Sequence, residues 1–320
     1  MTKARWGVAL AAGAAACFLF GCQDEEVEPS WFYLTTQNSE LPSDTVYGCY
    51  VAGEDAWYAT DAGLAYNRLT TWRIYTTASG LPSDAVYAVV GGPAGEIWAA
   101  TEAGVVRVRG ESLTVFTQAD GLPADRAVAL TYDGAAVWCA TEGGIARFDD
   151  PGWTAFTSAD GLPADDARDV YAESKEKIWV ACMGGAALYD RGVITAYTPA
   201  NAGLPSAAVY AAAARPGGDA WLGTDDGLCR FRDGQVVEVY TAGGGSGLKN
   251  DVINDLGFDA KGVLWVATVG GASRRSGAGF QTFGEEMGLT SAYCLSVWGD
   301  KYGYVWLGTL GGGVNRYGPD

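Results

Sequence analysis

The chain has no histidine among its 320 residues. That absence removes the imidazole general base, every Ser-His-Asp or Cys-His pair and any His-ligated metal, so most common hydrolase chemistry is closed to it. Basic residues are scarce as well: 21 Lys and Arg face 38 Asp and Glu, giving a formal charge of −17 and a pI near 4.3. So acidic a surface repels phosphate backbones and excludes nucleic acid as a partner. CxxC spacing and the phosphate-cradling pattern GxxxxGK[ST] are both missing, and neither a metal nor a cofactor is expected. What the chain has in quantity is hydrophobic surface (48%), 46 glycines and 12 tryptophans. That composition supports a large core and suits an all-β fold of short strands and tight turns.

The opening "MTKARWGVALAAGAAACFLFGC" sets two basic residues before an apolar run of signal-peptide length. It ends in Leu19, Phe20, Gly21 and Cys22, which resembles the bacterial lipobox, although Phe20 is bulkier than that pattern favours. The expected layout is a lipoprotein signal peptide over 1–21, acylation of Cys22, an acidic tether over 22–30 and a folded region over 31–320. Five further cysteines, Cys49, Cys139, Cys182, Cys229 and Cys294, fall in or beside apolar runs and read as buried thiols.

A repeat organises everything after residue 30. The leucine of a "GLP"-type turn recurs as Leu41, Leu81, Leu122, Leu162, Leu204, Leu248 and Leu289. Each is followed after 16 or 17 residues by a tryptophan: Trp57, Trp98, Trp138, Trp179, Trp221, Trp265 and Trp306. A period in the low forties with four strand-sized stretches per unit predicts a seven-bladed β-propeller, not a helical solenoid. "WFYLTTQNSELPSD" at the start matches "WRIYTTASGLPSD" from Trp72, whereas the seventh unit ends without such a segment. Residues 31 to 37 are therefore expected to complete the last blade as its outer strand and close the ring.

Most repeated residues read as structural. Each blade tryptophan can bury about 150–250 Å² between blades, worth at most roughly 4–6 kcal/mol. Glycines such as Gly63, Gly104, Gly144, Gly185 and Gly227 are expected to supply positive φ. Arg107, Arg147, Arg230, Arg274 and Arg316 follow the tryptophans at a near-constant distance and are expected to cover aromatic faces or pair with turn acids. Recurring aspartates in the turn before the innermost strand of five blades (Asp44, Asp84, Asp125, Asp165, Asp251) are expected to cap that turn.

The motif "GLPSDxVYxxxxxxxGxIWxAT", written in Gly80–Thr101, resembles the two-component regulator propeller repeat over nearly all of the chain beyond the tether. Units six and seven depart from it, with "GLKND" and "GLTSA" in place of the proline turn. The resemblance implies the periplasmic sensing part of bacterial hybrid histidine kinases, often responsive to oligosaccharides. No kinase region follows Asp320 in this sequence, so the expectation is a propeller without a phosphorelay of its own. The repeat also loosely resembles propeller lyases that inactivate streptogramins, which the resemblance implies depend on a histidine.

Candidate binding residues are those that break the template near the axis. They are Arg168 and Asp169 in blade four, Asn254 and Asp255 in blade six, and Arg126 just before the innermost strand of blade three. Polar groups there must be solvated, paired with one another or bound to a ligand. Tyr47, Tyr87 and Tyr210 share one register and add aromatic surface suited to a sugar or peptide, or to interblade packing. No catalytic constellation stands out. The expected function is non-catalytic binding of a ligand, an oligosaccharide or a peptide, by a propeller anchored to lipid through Cys22. The place expected for it is the cell envelope, on an outer membrane facing the periplasm or on the cell surface. A scaffold for envelope proteins, or a lyase or glycosidase working through carboxylates, is the alternative.

Overall fold

The computed structural model describes residues 31–318. The leader, Cys22 and the acidic tether lie outside the described residues. Seven four-stranded antiparallel sheets follow one another, the first six ordered from innermost to outermost strand along the chain. Blade one shows the plan: Val46–Ala52, Asp55–Thr60, Gly63–Arg68 and Thr71–Tyr75. Successive innermost strands touch one another, and that of blade seven touches that of blade one, so the sheets form a closed ring.

Closure occurs where the sequence places it. Trp31–Leu34 pairs antiparallel with Val314–Tyr317 in the register Trp31 to Tyr317 through Leu34 to Val314, as the outer strand of blade seven. The strand is shorter than the expected 31 to 37, because the chain turns at Thr35, whose N–H donates to Asn38 Oδ1 at 2.8 Å.

Two local devices explain why the unit repeats so strictly. In "EIWAATEAG" the Thr101 hydroxyl donates to the Gly104 carbonyl and accepts from the Ala103 N–H, which locks the turn between second and third strands. The hydroxyl-to-carbonyl bond recurs at Thr60, Thr141, Thr224, Thr268 and Thr309, with Cys182 standing there in blade four. Gly104 has φ of 131°, and a Cβ on it would lie 2.4 Å from the Phe116 carbonyl oxygen, so only glycine fits. The second device is the turn cap: Asp44, Asp84, Asp125, Asp165 and Asp251 accept from the N–H groups of Thr36, Thr77, Gln118, Ser158 and Ala242 at 2.6–2.7 Å. In blade seven the direction is reversed, with Ala292 N–H donating to Glu285.

The blade tryptophans are buried, six of them against rings of their own or the next blade and Trp306 under the Arg316 guanidinium. Trp98 meets Phe148 at 4.8 Å and Trp138 meets Tyr189 at 4.6 Å between ring centroids. The recurring arginine proves to be the tryptophan's direct cross-strand partner, as in Trp98–Arg107, Trp138–Arg147 and Trp265–Arg274. Its guanidinium lies over the indole at 5.6–5.8 Å in those three blades. Arg107 and Arg147 also reach Asp150 and Glu176 of the next blade. All five cysteines among the described residues are free and buried, and burial pushes the thiols of Cys182, Cys229 and Cys294 up to about 12.

Candidate functional site: the channel mouth

Every innermost strand carries a bulge at the same place, one residue after its start. The register slips between Val46 and Gly48, Val86 and Ala88, Ala127 and Ala129, Ala167 and Asp169, Val209 and Ala211, Ile253 and Asp255, and Cys294 and Ser296. A bulge leaves one residue unpaired and re-aims its side chain. The unpaired residues are Tyr47, Tyr87, Val128, Arg168, Tyr210, Asn254 and Leu295, all half-buried. Five of the eight candidates on the strands or beside them thus share one structural position, a ring around the end of the channel where the innermost strands begin. The turns between second and third strands meet the same rim: Glu102 N–H donates to the Ala85 carbonyl and Met183 N–H to that of Asp166.

Across blades one to three the rim is a connected cluster. Tyr47 and Tyr87 meet edge to face at 5.3 Å between centroids. Arg126 lies over the Tyr87 ring at 5.1 Å, pairs with Glu102 at 2.9 Å, and also pairs with Glu142. Tyr87 donates its phenol to Glu102. Partial burial and that carboxylate push the Tyr87 phenol above its ordinary range; burial and Asp61 do the same for Tyr47. The turn acids Glu102 and Glu142, between the second and third strands of blades two and three, are thereby part of the site.

The candidates of blades four and six, Arg168, Asp169, Asn254 and Asp255, make no hydrogen bond or ion pair with one another; they bind backbone groups and, for Arg168, the acid of its own entry turn. Asp169 accepts from Ala212 N–H at 2.9 Å, in the innermost strand of blade five. Asp255 does the same one blade pair on, accepting from Val297 N–H at 2.8 Å and from Leu256 N–H at 2.7 Å. Asn254 donates its amide to the Cys294 carbonyl at 2.7 Å. Innermost strands are sheet edges with free N–H groups toward the axis, and these carboxyls satisfy some of them. Arg168 pairs with Asp166 at 2.6 Å, while its Nε and the second oxygen of Asp166 are buried without a hydrogen-bond partner. Tyr210 stands on the ring apart from the Tyr47–Tyr87 pair.

Burial raises Asp169 to about 6, and burial together with the Asp169 charge raises Asp255 to about 8. Tyr171, on the innermost strand of blade four (Ala167–Ser174), is pushed up to about 12 by burial and by those same two carboxyls. Among the described residues no group of three or more cysteine, aspartate or glutamate side chains is arranged to hold a metal ion.

The fold and rim define a seven-bladed β-propeller with a polar, aromatic channel mouth. No family model matches the chain, and no curated protein matches it in sequence. Solved structures do share the fold. An extracellular domain assigned to a hybrid two-component system of B. thetaiotaomicron superposes with a TM-score of 0.74 at 19% identity, covering 90% of this chain and 41% of that one. Virginiamycin B lyase from Staphylococcus aureus superposes with a TM-score of 0.74 at 14% identity over 92% of this chain and all of that one. PorZ, a surface component of the type-IX secretion system of Porphyromonas gingivalis, gives 0.65 at 15% identity over 86% and 46%. This chain thus spans less than half of the first and third of these proteins.

Proposed function

We propose that this protein is a non-catalytic binding propeller of the bacterial envelope, tethered to lipid through Cys22, that takes a ligand or partner at its channel mouth. The observation that carries the reading is the cluster Tyr47, Tyr87, Glu102, Arg126 and Glu142, an aromatic pair with charged groups of both signs on an accessible rim. Such convergence of rings and a few fixed polar groups is how ligand sites are built. The resemblance of its repeat to the two-component regulator propeller, and the likeness of its fold to extracellular domains, support an envelope role. Carboxylate catalysis is the weaker reading, since the acids nearest the axis, Asp169 and Asp255, are engaged by backbone N–H groups. A protein partner is the second version of the same idea, favoured by the exposed side chains of Met183, Tyr293 and Leu310 beside the mouth.

A thermal-shift screen of oligosaccharides, peptides and divalent cations tests it. Any compound that raises the melting temperature is expected to lose that effect in Tyr87→Ala and Arg126→Ala, with the unliganded fold nearly as stable. Stabilisation that survives both substitutions places the ligand elsewhere. The tether has its own test: Cys22→Ser is expected to move the protein from the membrane to the soluble fraction, and unchanged fractionation rejects the anchor.

A further inference from the structure

The cleft between blades five and six breaks the repeat twice. Where the innermost hairpin turns, four blades place an acid, Asp133, Glu173, Asp259 or Asp300, that accepts from its own blade's indole N–H. Blade five has Arg215 there. On the third strand, the residue after the tryptophan's cross-strand partner is aromatic in four other blades, Phe148, Tyr189, Phe231 and Tyr317, each packed on the tryptophan of the preceding blade. Blade six has Arg275, which lies over Trp221, Tyr240 and Phe280 at 5.6, 4.7 and 5.2 Å. Both departures bring arginine to the same place.

They meet in a cleft of about 270 Å³ lined by Arg215, Asp219, Trp221, Arg230, Phe258 and Arg275. Its one acid is already engaged, because Asp219 pairs with both Arg230 and Arg232. Arg215 donates to the Gly262 carbonyl at 3.3 Å and lies over Phe258; Arg275 donates to the Ala278 carbonyl at 3.1 Å. Neither forms an ion pair among the described residues. Gly262 makes room for this, since a Cβ there would collide with the Arg215 guanidinium. Guanidinium groups held against aromatic rings are weakly hydrated and pre-oriented, and their planar fork matches a carboxylate. In a chain of charge −17, Arg316 is the other ring-held guanidinium without an ion pair among the described residues, and it stands alone, whereas Arg215 and Arg275 share one cleft.

We propose that this cleft is an anion site that seats the carboxylate of a compact organic acid between Arg215 and Arg275. The size of the cleft sets the scale of the ligand at about one ring or one short chain. A peptide main chain has nothing to hold it here, because the strands carrying Trp221 and Arg230, Ala220–Thr224 and Gly227–Arg232, are paired on both sides. The cleft lies at the hairpin end of the innermost strands, opposite the channel mouth, so it stands or falls independently of the site proposed there.

Calorimetric titration of the protein with glucuronate, glutarate, glucose and sulfate at matched ionic strength decides it. At least one carboxylate is expected to bind and glucose not to; glucuronate alone indicates a sugar acid, and both indicate recognition of the carboxylate itself. Arg215→Gln is expected to weaken that binding about tenfold, the effect of losing one charge-assisted pair. Arg215 is exposed, so its unliganded melting temperature should hold, and it decides the matter even if Arg275→Lys loosens the packing on Trp221. The proposal is overturned if neither carboxylate binds, if Arg215→Gln binds as the parent does, or if sulfate binds equally in parent and variant.

Discussion

At the scale of single residues, Asp255 shows what a polar group near the axis does. In the unfolded chain it ionises in the ordinary range near about 3.9, whereas in the fold burial and the neighbouring Asp169 charge move it to about 8. Between those limits the folded state holds the extra proton, so this group makes stability fall as pH rises, by up to about 1.4 kcal/mol for each pH unit crossed. Asp255→Asn removes the ionisation and sets an amide against one of its two N–H donors, a pH-independent cost of about 1 kcal/mol. Urea unfolding of parent and variant at pH 5 and pH 8 should therefore show the variant weaker at the lower pH and relatively stronger at the higher. Parallel pH dependences would mean that Asp255 titrates as an ordinary surface carboxyl. The residue's position was legible in the sequence because it breaks the repeat; its partner was not. The N–H groups it accepts from, Val297 and Leu256, have no side-chain signature, and one belongs to the next blade.

At the scale of the element, the unit repeats because several of its positions admit one residue type. Gly104 and Gly110 both have positive φ, at 131° and 58°, yet only the first meets a neighbouring strand. Gly104→Ala is expected to cost about 2–4 kcal/mol through backbone strain and collision with the Phe116 carbonyl. Gly110→Ala, with open space around it, should cost about 1 kcal/mol. Denaturant midpoints measured on the two variants test the difference, and equal losses would remove the steric account. Such positions are why the blade could be read from sequence: the tryptophan recurs in all seven blades, and the threonine three or four residues before its glycine recurs in six, with Cys182 in its place in blade four. The bulge was invisible for the opposite reason. All seven blades share it, so Tyr47, Tyr87, Arg168, Tyr210 and Asn254 aligned in one column with nothing to show that the chain slips there. The cleft of Arg215 and Arg275 escaped because the two departures from the repeat lie in different units, far apart in the alignment. Only the packing of blade six on blade five brings them to one tryptophan.

At the scale of the whole molecule, the ring depends on a strand supplied from the far end of the chain. Trp31 sits edge to face with Tyr317 at 5.0 Å and with Phe283 at 5.9 Å between centroids, bridging the last blade to the one before it. The four-residue strand that carries it covers an edge, Val314–Tyr317, that would otherwise present unpaired N–H and C=O groups. A chain starting at Thr35 keeps the turn in which Thr36 bonds Asp44 and loses only that strand. It is expected to be less stable by about 3 kcal/mol, from the lost ring contacts and strand pairing. It should also self-associate with rising concentration through the exposed edge, which sedimentation velocity can follow. A synthetic peptide of residues 31–37 added in trans should restore the monomer and raise the melting temperature, because the site it fills is already built. If the shortened chain melts like the parent and stays monomeric without the peptide, the seam is held by the blade faces alone. In that case the channel rim would not depend on the N-terminal strand for its shape.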